Sequence, residues 1–99
     1  MLIYNVTVKI DNQIHDDWFD WMKKIHIPEV LDTGKFVENK MYKVLVDDLD
    51  GVTYSIQYTC KDMDTLNDYL KNHAPALQKA HINRYKDKFV AFRTFLELV

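Results

Sequence analysis

Apolar and polar residues alternate from Leu2 to Ile10. Leu2, Tyr4, Val6, Val8 and Ile10 fall on one face of an extended chain, and Ile3, Asn5, Thr7 and Lys9 on the other. This predicts a first strand with one strongly apolar face. Asp11 or Asn12 then offers a side-chain cap for a helix whose apolar stripe is Ile14, Trp18, Trp21, Met22 and Ile25. Pro28, just after His26, is expected to end or interrupt that helix, with a short turn through Glu29, Val30 and Leu31 closing at Gly34 as a left-handed cap. A second strand is expected from Phe36 to Val46, and Glu38, Asn39, Lys40 and Lys43 within it suit a sheet edge. Asp47, Asp48, Asp50 and Gly51 provide hairpin chemistry. The third strand, Val52 to Cys60, puts Val52, Tyr54, Ile56, Tyr58 and Cys60 on one face and Thr53, Ser55, Gln57 and Thr59 on the other, a content that fits a central strand. Asp62 or Asp64 can cap a second helix with Met63, Leu66, Leu70, Leu77 and Ala80 on its apolar side, bent or restarted at Pro75. The last strand is expected from Lys88 to Leu98.

Strand, helix, strand, repeated and joined by a hairpin, is the βαββαβ order. With right-handed crossovers it gives an α+β, ferredoxin-like fold: a four-stranded antiparallel sheet of order 4-1-3-2 with two helices on one face. The last strand complicates this, because Phe89, Ala91, Arg93, Phe95 and Glu97 alternate with Val90, Phe92, Thr94, Leu96 and Leu98. Large apolar groups on both faces of an edge strand call for a second cover, and a closed homodimer supplies it most simply. Which set meets the partner is left open by the alternation.

Composition narrows the class. Ninety-nine residues of which 47% are hydrophobic suffice for one core, so residues 1–99 are expected to form a single domain. No apolar run approaches the roughly 20 residues of a membrane helix, and no signal segment opens the chain. One cysteine, Cys60, ends an apolar strand pattern; it reads as a buried filler and fits a reducing, cytoplasmic compartment. The 13 basic residues are scattered among 15 acidic ones, for a net charge of −2, which argues against nucleic-acid binding.

The candidate chemistry lies in two similar strings, His26-Ile27-Pro28-Glu29-Val30 and His73-Ala74-Pro75-Ala76-Leu77. Each places a histidine beside a helix break. In the functional reading His26 and His73 project toward a pocket between helices and sheet, lined by Trp18, Trp21, Tyr54, Tyr58 and Arg93. Imidazole can move protons near neutrality, aromatic walls hold a flat or apolar ligand, and Arg93 can hold an anion or an enolate oxygen. The competing structural reading is a filled core: histidines satisfying freed helix carbonyls, tryptophans packed inside, and Arg93 paired with Glu38, Glu97 or a residue of a second subunit. The four histidines show no zinc-type spacing, no glycine-rich phosphate loop occurs, and Ser55 lies in a strand, so metal, nucleotide and serine-nucleophile chemistry are not indicated. No cofactor is specified.

Taken together, Trp18-x-x-Trp21-Met22, the two histidine strings, Thr33-Gly34, Gly51-Val52-Thr53-Tyr54-Ser55-Ile56-Gln57-Tyr58 and Phe89-Val90-Ala91-Phe92-Arg93-Thr94 resemble the bacterial family known as domain of unknown function 4286. The resemblance spans almost the whole chain and implies membership of the dimeric α+β barrel group. Relatives in that group include cofactor-free monooxygenases, isomerases, dechlorinating enzymes and haem-handling proteins, with pockets between sheet and helices. No catalytic residue carries over. The expected function is therefore a homodimer that binds a small, partly apolar or aromatic metabolite, with cofactor-independent acid–base chemistry available to His26 or His73; the alternative is a non-catalytic dimerisation or protein-interaction module.

Overall fold

The computed structural model describes residues 1–99. β1 (Leu2–Asp11) and β3 (Gly51–Cys60), the two most regular alternations in the sequence, pair antiparallel at the centre of the sheet; β2 (Glu38–Lys43) and β4 (Phe89–Glu97) lie at its edges. The order β2-β3-β1-β4 is the expected ferredoxin-like arrangement. β2 is shorter than the Phe36–Val46 alternation suggested, although Val37 and Val44 extend the pairing through N–H bonds to the Thr59 and Thr53 carbonyls.

The crossovers are each made of two helical pieces. After a short 3-10 turn capped by Asp11, α1 (His15–Trp21) passes through a π-helical turn, Met22–His26, into α2 (Ile27–Asp32). Pro28 therefore does not stop the helix. Its ring would crowd the carbonyl four residues back in a regular α-helix, and the wider turn before it relieves that clash. Asp62 caps α3 (Met63–Asn72) by accepting the Thr65 N–H at 2.8 Å, and α4 (Ala74–Tyr85) restarts with Pro75 in its first turn.

Register decides which residues face the helices. Tyr4 lies opposite Tyr58 and Phe95, Val6 opposite Ile56 and Arg93, and Val8 opposite Tyr54 and Ala91. Tyr4, Val8, Tyr54, Ile56 and Tyr58 join Trp18, Trp21, Leu66 and Tyr69 in the core. Met63 and Ala80, expected on the apolar stripe, are exposed, and so is Ile25. The π-helical turn explains Ile25: the Ile27 N–H reaches back five residues to the Met22 carbonyl, and the added residue rotates Ile25 outward and His26 inward.

The other face of the sheet carries no helix. Its centre is polar, with Ser55 Oγ donating to Asn5 Oδ1 at 2.6 Å and Asn5 Nδ2 donating to Thr7 Oγ1 at 3.0 Å. Its β4 flank is apolar and open, with Val90 67% and Phe92 63% exposed. Phe92 and Leu96 lie on the open face, Arg93 and Phe95 on the helix side.

The two glycines resist substitution for different reasons. A Cβ on Gly51 would meet the Ile10 carbonyl oxygen at 2.8 Å, whereas Gly34 has open space around it but a φ of +76°. Gly51→Ala should lower the unfolding free energy by about 1–3 kcal/mol through a forced shift of β1 against β3. Gly34→Ala should cost about 1 kcal/mol from backbone strain alone. Denaturant unfolding of the two variants checks both, and a Gly51→Ala protein as stable as wild type would contradict the register.

Candidate functional site

A cleft opens between the helical layer and strands β3, β1 and β4 of the sheet. Its floor is Tyr4, Val6, Val8, Ile56, Tyr58, Phe89, Ala91 and Arg93, and its roof comes from Met22, His26, Val30, Tyr69, Leu77, Gln78 and His81. Its cavity volume is about 40 Å³. That is room for a few waters, and a larger guest needs side chains at the mouth to move aside.

Most of the lining is hydrocarbon or aromatic, and its strongly polar members are His26, Gln78, His81 and Arg93. The π-helical turn lays the His26 ring on Trp21, with centroids 4.8 Å apart and planes 25° off parallel. His26 Nδ1 is buried and has no hydrogen-bond partner. His81 lies 5.7 Å from His26 between ring centroids, and Trp18 Nε1 donates to His81 Nε2 at 2.9 Å. Phe89 meets His81 edge-on at 4.2 Å.

Burial dominates the electrostatics. It pushes the His26 imidazole down to about 4, helped by the nearby Arg93 charge. His81 also falls to about 4, through burial first and then His26 and Arg93. Both rings are neutral at pH 7. Burial also pushes the Tyr58 and Tyr69 phenols up, so both stay protonated. Arg93 makes no ion pair: Glu38 pairs with Lys40, and Glu97 pairs with nothing. His26 and His81 offer two imidazoles, and no third side chain of metal-ligating type joins them.

Of the residues singled out by sequence, the structure brings His26, Tyr58 and Arg93 into the cleft wall. Trp18 and Trp21 are buried behind it, holding His81 and His26 respectively. Tyr54 sits beyond Trp18, where its hydroxyl meets His15 Nε2 at 2.7 Å. His73 is on a different surface: it links α3 to α4, its Nε2 lies 3.9 Å from Asp68 Oδ2, and it borders a shallow groove with Glu29 and Asp32. The two histidine strings do not occupy like positions, because only the first is preceded by a π-helical turn. His81 and Tyr69 were not anticipated. The fourfold spacing Leu77, His81, Tyr85 would have revealed His81 had histidine been counted as able to lie on the buried stripe.

Both lowered histidines bind protons less readily folded than unfolded. The unfolded chain takes up more protons between its ordinary histidine value of 6.5 and about 4, so stability should fall as pH drops through that window and level off for these groups below it. Asp48, held at about 2 by Lys9, adds a separate loss at still lower pH. Urea unfolding from pH 7 to 4 should show the decline in wild type and a shallower one in His81→Gln; equal slopes would contradict the burial of His81.

The family model described as Domain of unknown function (DUF4286) matches residues 1–99. No curated protein matches the sequence. Among solved structures, an ethyl tert-butyl ether d (ethd) family protein from Bacillus halodurans is similar with a TM-score of 0.72 at 10% identity, covering 100% of both chains. A dimeric ferredoxin-like protein from an uncultured marine organism has a TM-score of 0.69 at 12% identity, over 99% of this chain and 96% of that one. A mutant of SnoaB from Streptomyces nogalater, a cofactor-independent oxygenase, has a TM-score of 0.67 at 9% identity, over 98% and 92% of the two chains. At these identities the likeness is one of fold.

Proposed function

We propose that this chain, which belongs to the DUF4286 family, binds a small, partly apolar or aromatic metabolite in the cleft and can move a proton on it with His26, without a cofactor. The observation that carries this reading is the buried Nδ1 of His26, a polar atom with no protein partner on a residue that lines a largely apolar cleft. Such an atom costs stability unless something hydrogen-bonds it, and a ligand or water in the cleft is what could. A neutral imidazole at pH 7 has a bare nitrogen ready to accept a proton. Tyr58 supplies wall, Arg93 a free cation at the mouth, and Trp21 the platform that orients His26.

Assembly belongs to the same proposal. Residues 1–99 act as one domain, and two copies associate through the open sheet face, where Val90, Phe92 and Leu96 stand exposed. A dimeric ferredoxin-like neighbour supports this. The free, buried thiol of Cys60 supports a reducing, cytoplasmic setting. Chemistry and assembly then occupy opposite sides of one sheet. The small interior favours one alternative, a non-catalytic dimerisation module whose core is simply full.

Ligand binding separates these readings. In a thermal-shift and native mass spectrometry screen of small aromatic and aliphatic acids, alcohols and amides, a true ligand at 100 times its Kd should raise the midpoint by roughly 10–20 °C. His26→Ala should abolish the shift and His73→Ala should retain it. Wild-type binding of every hit by His26→Ala would sink the proposal, and an absence of hits favours the module. For assembly, light scattering at micromolar concentration should give twice the 11.8 kDa chain mass, and Phe92→Asp should give monomers. A monomeric wild type would contradict the second face's role.

A further inference from the structure

An indole N–H can only donate, so the bond from Trp18 Nε1 obliges His81 Nε2 to accept. A neutral imidazole with Nε2 bare carries its proton on Nδ1. Trp18 thus selects one of the two tautomers, and the histidine presents a donor at its remaining nitrogen. That Nδ1 has no protein hydrogen-bond partner and is not sealed from solvent, and the ring lines the cleft. On β4, Arg93 adds a guanidinium with no carboxylate partner to the same wall. The groups packed around His81 are His26 from the π-helical turn, Trp18 and Trp21 from α1, Tyr85 on its own helix, and Phe89 and Arg93 from β4. None of them is an anion.

We infer that the cleft is selective for the anion of a small organic acid, a carboxylate or an enolate on an apolar or aromatic body, with its charged oxygens between Arg93 and the Nδ1–H of His81. Trp18 is then a positioning residue: it touches no ligand, yet it sets which way His81 can hydrogen-bond. This rests on the pocket reading above and adds the class of ligand. The division of labour between the two histidines follows. His81, with its accepting nitrogen occupied, is the donor that holds negative charge, and His26, with no partner at Nδ1, is left as the base. Taking a proton from carbon beside a carbonyl would move the electron pair onto oxygen as an enolate and the proton onto His26. The enolate oxygen would rest against the same two donors.

Benzoate and benzamide, alike in shape and different in charge, test this by calorimetry on the full chain. Benzoate should bind wild type, and benzamide roughly tenfold or more weakly. Arg93→Gln should erase that difference. Histidine-labelled protein read by long-range proton–nitrogen NMR should show His81 protonated at Nδ1, and Trp18→Phe should mix the tautomers and weaken benzoate while leaving benzamide unchanged. If Trp18→Phe fails to fold, the histidine itself serves: His81→Asn keeps a donor near Nδ1 and should retain benzoate binding, and His81→Gln should lose it. Benzamide binding as tightly as benzoate would overturn the anion class and leave the pocket standing. Binding of neither would overturn the pocket and this inference together. His81 protonated at Nε2 in wild type would overturn the role of Trp18.

Discussion

The hydrogen bond from Trp18 to His81 joins the two halves of the helical layer across the molecule's interior. Trp18 is fully buried, and its indole N–H needs an acceptor that the surrounding hydrocarbon cannot provide. His81 is that acceptor, so the depth of α1 over the sheet and the rotation of α4 about its axis are set together. The consequence extends to β4, because Phe89 meets the ring edge-on and the strand carrying it also carries Arg93. A bond that satisfies a buried donor therefore also orients a cleft-lining group and places it near a free cation.

The second constraint is the π-helical turn. A regular helix through Met22–His26 would have kept Ile25 on the buried stripe with Trp18 and Trp21, giving a closed apolar roof. The extra residue in the turn replaces Ile25 with His26, and a carbon-rich wall acquires an imidazole without a partner. Such turns are costly enough that they tend to persist where they serve a function. Here the turn also accommodates Pro28, so one local irregularity answers both a backbone clash and the placement of the histidine.

The sheet was legible because its signal is simple. Strict alternation in β1 and β3 names the buried face, and a hairpin with two crossovers leaves one strand order. The ends of β2 and the continuation of the helix past Pro28 were not legible, since both depend on neighbours rather than on local pattern. In the cleft, His26 and Arg93 could be singled out by residue type, but the reason His26 points inward could not, because a helical wheel drawn at regular spacing sends it elsewhere. His73 shares the motif without the preceding turn and ends on the outer surface beside Asp68. His81 escaped notice because a histidine amid Lys79, Asn83 and Arg84 looks like solvent-facing helix. Only its long-range partner, Trp18, marks it as interior.

On the proposed function, the space between His26, His81 and Arg93 is a polar recess built to be occupied. A high-resolution crystal structure at neutral pH reads it directly. Ordered water or an anion bridging His81 Nδ1 and Arg93, with a hydrogen bond to His26, is the expected result. A dry, collapsed cleft with Arg93 turned to solvent and His26 bonded to a protein carbonyl would contradict it.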